Sequence, residues 1–225
     1  MYQSIIQKVG DSVEFPLFTG ERVYMREFAT GQELPPDLSR WQQTVDMMTA
    51  NVPSGLTAYL MVDQGVVKAG TTHRRGGMHV DGYWIPAMQA HSTWSGGHTT
   101  PSEPSRSSGH SHTPLRRKRD SHYTPRHCHA GIHDYGKEAI ILASDLSACR
   151  ALSGEWFGRI GEGGDCSHIN FVGMDEMRLE ANQVYAGNAL MLHESMPISA
   201  DSSRTLVRLN VKGWEPCPQQ LLSTS

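Results

Sequence analysis

Long hydrophobic runs are missing from this chain. No stretch of about 18 apolar residues exists, so no membrane-spanning helix is expected. Met1 to Gly10 carries no apolar core behind a basic cluster, so no secretory signal is expected either. Cysteine is scarce: Cys128, Cys149, Cys166 and Cys217 are widely spaced and form no C-x-x-C. That excludes a zinc ribbon or a dithiol redox motif and suits free thiols in a reducing, cytoplasmic setting. An excess of positive charge is absent as well. The net charge is -3 and the pI about 6.4, so the chain as a whole is not a polycation built for nucleic acid. There is no G-x-G-x-x-G, no strand-helix alternation and no internal repeat, which disfavours a doubly wound dinucleotide fold.

What is present points to short strands. With 225 residues the chain is long enough for one domain with a sizeable core, residues 1–225. Hydrophobic content is only 38%, while Gly (22) and Pro (12) are generous, which fits a loop-rich β protein better than a helical bundle. In residues 1–50, Val13–Phe15 and Arg22–Met25 are β-prone. Pro35-Pro36-Asp37 then reads as the start of a helix over Leu38–Ala50, with Leu38, Trp41, Val45 and Met48 on one face. Strands are expected at Leu56–Val67, Met78–Ile85, Glu138–Ser144, Ser153–Ile160, Met177–Ala181, Ala189–Leu192 and Arg204–Val211. The expected fold is therefore mainly β, a sandwich or barrel with N-terminal helical cover.

Residues 96–135 differ in kind. They hold seven histidines, many Ser, Pro and Gly, and the basic run Arg116-Arg117-Lys118-Arg119, with almost no aliphatic residues. Such a composition buries too little apolar surface to offset its ordering entropy, so a long mobile insertion is expected. Three functional readings stand beside that one: a second metal site using Cys128, contact of Arg116–Arg119 with nucleic-acid phosphates, and a lid over a substrate. Irregular histidine spacing argues against the first.

The informative stretch is Gly77-Met78-His79-Val80-Asp81. On a strand, His79 and Asp81 point the same way, and an imidazole beside a carboxylate supplies two of three ligands to a divalent metal. A second histidine from a distant strand completes the set, and two His with one carboxylate and open positions opposite suits non-haem Fe(II). His193 is the candidate, following a Gly187-Asn188 turn signal and the apolar run Ala189–Leu192. Glu194 is expected on the opposite face. On the last strand Arg204, Leu206, Arg208 and Asn210 share a face, and an arginine fork beside the metal can hold a carboxylate bidentately. The loop Gly161–Asp165 lacks the Lys and the helix of a phosphate cradle. Tyr83, Trp84 and Trp156 fit either a core or a base-stacking wall.

These pieces together resemble the Fe(II)/2-oxoglutarate-dependent oxygenase superfamily. The resemblance rests on His79-x-Asp81, on Gly187–His193 as the family's Gly-Asp-apolar-His hairpin with Asn188 in place of Asp, and on Arg204 eleven positions after His193. It implies a double-stranded β-helix of the jelly-roll or cupin type. It implies Fe(II) on His79, Asp81 and His193, 2-oxoglutarate chelating the iron with its distal carboxylate on Arg204 or Arg208, and O2 in the remaining position. Arg204-x-x-x-Arg208 looks most like the taurine dioxygenase branch, where the second arginine takes an anionic substrate group. Nucleobase-oxidising branches would favour Arg208 as the anchor. The substrate class stays open among nucleic acid, nucleotide and small acid. Two other functions remain: a cupin-like metal-binding protein without 2-oxoglutarate, and a non-catalytic β-domain with 96–135 as a docking arm.

Overall fold

Side-chain alternation on one strand organises the molecule. On Ser202–Lys212, Val207, Leu209 and Val211 enter one apolar cluster, while Arg204, Leu206, Arg208 and Asn210 face the other way. The computed structural model describes residues 1–81 and 137–216. Its strands in chain order are β1 (Tyr2–Ser4), β2 (Ile6–Ser12), β3 (Arg22–Ala29), β4 (Thr57–Val67), β5 (Glu138–Ser144), β6 (Cys149–Trp156), β7 (Asp175–Leu179), β8 (Gln183–Asn188), β9 (Leu192–Ser195) and β10 (Ser202–Lys212). The fold is mainly β, as expected, and all the paired strands run antiparallel.

The larger sheet has six strands in the order β2-β8-β5-β10-β4-β3. The smaller has β7 on one edge of β6, and β9 with β1 along the other. A single bridge from His79 to His193 adds the segment Met78–Asp81 beyond β9. From β4 onward the chain therefore shuttles: large sheet, Met78–Asp81 in the small one, β5 in the large, β6 and β7 in the small, β8 in the large, β9 in the small, β10 in the large. Between the sheets lie Ile6, Ile140, Leu142, Ala151, Tyr185 and Met191. The outer face of the large sheet is sealed by Leu38, Trp41, Val45 and Met48, and the outer face of the small sheet by Tyr2, Val80, Leu152, Trp156 and Leu192.

Several expectations shift. Helical cover is not evident as a layer. Residues Pro36–Trp41 form a 3-10 helix that continues into the seven-residue α1 (Gln42–Met48), and the chain before it is spent on β1 to β3. Two turns suffice to place one apolar stripe, and Pro35-Pro36 bars an earlier start. Val13–Phe15 is not a strand. β6 begins four residues before the expected Ser153, because Cys149 and Ala151 bury between the sheets while Arg150, which reads as a loop residue, reaches Glu194 and Glu176 on the outer face. It ends before Gly158, whose φ of +153° strands rarely tolerate. Ala189–Leu192 is not a strand ending on His193. The turn falls there, and His193 is the second residue of β9. Gly187-Asn188 closes β8, and the Asn188 side chain accepts from Ile5 N and donates to Gln3 O.

Candidate metal centre

Three segments converge on one end of the inter-sheet space. His79 and His193 sit directly opposite each other and exchange both backbone hydrogen bonds, each at 3.0 Å, so their side chains leave the same face side by side. The far edge of Met78–Asp81 is braced by the glycine-rich loop: Val80 N donates to Gly164 O at 3.0 Å and Cys166 N to Met78 O at 2.9 Å. Gly164 has a φ of +83°, and a Cβ there would run into the Val80 carbonyl. The loop that fails as a phosphate cradle is thus the buttress of the ligand strand, a role only pairing reveals.

The two rings lie 4.4 Å apart, centroid to centroid. His79 Nδ1 meets Gly77 O at 2.8 Å and His193 Nδ1 meets Met191 O at 3.0 Å. A carbonyl only accepts, so each Nδ1 carries a proton and each Nε2 is the nitrogen left to face the group. Asp81 Oδ2 stands 3.4 Å from His193 Nε2. One ligand atom from each of the three residues lies within 4.8 Å of the others, so the group can hold a metal ion. Ligand atoms about 2.1 Å from one ion span up to about 4.2 Å, so small side-chain rotations close the set.

Electrostatics prepare the same donors. Burial, followed by the neighbouring His193, pushes the His79 imidazole down to about 4. Burial alone would raise the Asp81 carboxyl, but the Arg208 guanidinium at 2.5 Å, with His193, holds it well below the ordinary carboxylate range. Near neutral pH the site offers a neutral His79 and a charged carboxylate, the forms that bind metal. The His79 shift also makes a stability statement. Its proton binds more weakly in the folded chain, so the favourable contribution is complete above about 6.5 and is lost as pH falls toward about 4. Metal-free protein is expected to lose about 3 kcal/mol across that window. Urea denaturation at pH 7 and pH 4.5 measures it, and His79→Gln should remove this share of the loss.

The two arginines differ. Arg208 Nη1 holds Asp81, and its Nη2 lies 3.7 Å from Met25 Sδ. Met25 stands at φ +48° in a bulge of β3 between Val23 and Arg26, which aims its side chain over β4 onto Arg208. Arg204 has no solvent exposure. Its Nε donates to Ser144 Oγ at 3.0 Å and its Nη2 to Cys149 Sγ at 3.1 Å. Nη1 has no partner, and no carboxylate lies within ion-pair distance of Arg204 among the described residues. A small cavity lined by Ser144, Cys149, Leu142, Tyr185 and Leu206 adjoins it.

The structure brings His79, Asp81 and His193 together and puts Glu194 on the outer face against Arg150, as expected. Trp156 does not line the site. It stacks on Tyr2 at 4.5 Å in the core of the small sheet's outer face. Tyr83, Trp84, the histidines between 98 and 133 and the run Arg116–Arg119 lie outside the described residues. Sequence reasoning missed Met25, whose role depends on a bulge, and Glu138, a buried acid inside an apolar strand. Among the described residues no helix is long and apolar enough to cross a membrane. No family model, no curated protein and no solved structure matches the chain.

Proposed function

We propose that the protein is an Fe(II)- and 2-oxoglutarate-dependent oxygenase built on a double-stranded β-helix. The topology supports that scaffold: large-sheet strands in the order β8-β5-β10-β4 face Met78–Asp81, β9, β6 and β7, with the chain alternating between sheets as in a jelly roll. The observation that carries the reading is the pairing of two features within one inter-sheet space. One is a buried group of two histidines and an aspartate with both Nδ1 protons fixed. The other is a fully buried arginine on β10 with an unpartnered nitrogen. Asp145 acts on Arg204 only from beyond ion-pair distance, and a fully buried guanidinium with no carboxylate in contact is costly unless a ligand supplies one.

His79, Asp81 and His193 would hold Fe(II), which, with 2-oxoglutarate and O2, supplies the oxidising equivalent for attack on a substrate C–H bond. The chain's own work is positional. The backbone carbonyls of Gly77 and Met191 keep both imidazoles in the metal-binding tautomer. Arg208 keeps Asp81 ionised and turned toward the histidines. Arg204 is the better anchor for the distal carboxylate of 2-oxoglutarate, because Arg208 is already occupied by Asp81. Ile140, Leu142 and Met191 make the inter-sheet core beside these residues apolar and dry.

Anaerobic addition of Fe(II) and 2-oxoglutarate to the full chain is the test. The expected result is the weak visible charge-transfer band of the chelate, followed by succinate release on admitting O2. Metal binding without the band would select a metal-binding β-domain that makes no use of 2-oxoglutarate.

A further inference from the structure

The inner face of β10 is apolar at Leu206 but polar from the metal group to the rim, where positions 208, 210 and 212 each engage a neighbour. Arg208 holds Asp81 at 2.5 Å. Asn210 Nδ2 donates to Glu138 Oε1 at 2.9 Å, and Lys212 Nζ donates to Tyr59 Oη at 2.9 Å while lying 4.8 Å over that ring. The middle rung is incomplete. Asn210 has no solvent exposure, yet its Oδ1 has no hydrogen-bond donor among the described residues. An unsatisfied acceptor of this kind costs about 1–3 kcal/mol, and the matching donor would regain it. Glu138 is buried too, and no cation among the described residues comes within ion-pair distance of it, Lys212 being turned to Tyr59. Burial, only partly opposed by the Asn210 hydrogen bond and the more distant Lys212 and Arg208, pushes its carboxyl up to about 7.

An unsatisfied amide oxygen beside a buried carboxyl with no cation in contact is complementary to a cationic N–H donor, whose charge would draw that carboxyl into its ionised form. We infer that Asn210 and Glu138 form a substrate subsite that binds an ammonium group, one rung above Arg208 and the metal ligands. This deepens the oxygenase reading by giving the substrate an amine, and it rests on that reading for the claim that the occupant is a substrate. The subsite itself stands on the geometry of β5 and β10.

The test uses the full chain, 15N-labelled, with Zn(II) as a diamagnetic stand-in for iron. The probe is methylammonium. Controls are tetramethylammonium, a cation without N–H, and acetamide, which has N–H without charge. The readout is the Asn210 side-chain NH2 resonance, identified by its loss in Asn210→Leu or, if that variant does not fold, by its displacement in Glu138→Gln. The expected result is a saturable shift with methylammonium, none with tetramethylammonium, and roughly tenfold weaker binding in Glu138→Gln, which keeps a partner for Asn210 but removes the charge. No saturable shift, an equal response to tetramethylammonium, or tighter binding of acetamide would overturn the inference. The Fe(II)–2-oxoglutarate band, measured anaerobically on a metal-free aliquot of the same purified chain reloaded with Fe(II) instead of Zn(II), separates the two claims. A missing band with intact methylammonium binding brings down the oxygenase reading alone, and a normal band with a silent Asn210 brings down the subsite alone.

Discussion

Alanine at His79, Asp81 or His193 is expected to abolish the Fe(II)–2-oxoglutarate charge-transfer band and, with it, succinate release. Residues that merely orient metal ligands are worth about 10–100-fold in affinity, so deleting a ligand should cost at least the upper end of that range. The band is the right observable because seven further histidines lie between 98 and 133 and could take up metal without forming the chelate. The three variants should not be equal in stability. His79→Ala removes an imidazole that burial keeps neutral, and His193→Ala removes the ring beside it. Asp81→Ala breaks the ion pair with Arg208, and removing one side of a buried pair costs about 3–5 kcal/mol, so Asp81→Asn is the better-behaved probe of ligation. His168→Ala is the control: that ring is half exposed and faces Asp165 rather than the group. An intact band in any of the three ligand variants would remove that residue from the centre, and an intact band in all three would end the metal reading.

The second large effect separates the arginines. Arg204→Met should raise the concentration of 2-oxoglutarate needed for half-formation of the band by on the order of a hundredfold, while leaving Fe(II) affinity near its original value. A charge-assisted bidentate contact to a carboxylate is worth about 1.5–3 kcal/mol, and more where both partners are dry. Arg208→Met should act on the metal. Without the guanidinium, burial governs the Asp81 carboxyl and raises it, so protons compete with the metal at higher pH. Iron affinity in that variant should fall steeply on acidification where the parent protein holds its metal. Titrations of both components at pH 7.5 and pH 6 decide the matter. If Arg208→Met shifts the 2-oxoglutarate requirement and Arg204→Met does not, the two roles exchange.

How much of this could be read from the residues depends on range. Period-two alternation is local, so Glu138–Ser144 and the run from Arg204 to Val211 emerge at nearly their observed ends, and His79 with Asp81 fall on one side. The opposition of His79 to His193 is suggested by motif order but fixed only by the exchange of backbone bonds across the small sheet. Boundaries failed where a charged residue sits on an outer face, as Arg150 does, or where a turn is built from apolar residues, as at Ala189–Met191. The choice between Arg204 and Arg208 has only the spacing from His193 to favour Arg204 in the sequence, since both occupy the same face of one strand. It turns on which has an acid for a neighbour, and Asp81 is a partner that only the tertiary fold supplies.

His79 and His193 are more than a hundred positions apart along the chain yet adjacent in the small sheet. An ion held between them would act as a removable cross-link, closing the chain that carries β5 to β8 into a loop. Its release would surrender loop-closure entropy as well as ligand bonds, so occupancy of the centre and resistance of the whole sheet pair to opening are coupled, and chelation would loosen strands that never touch the ion.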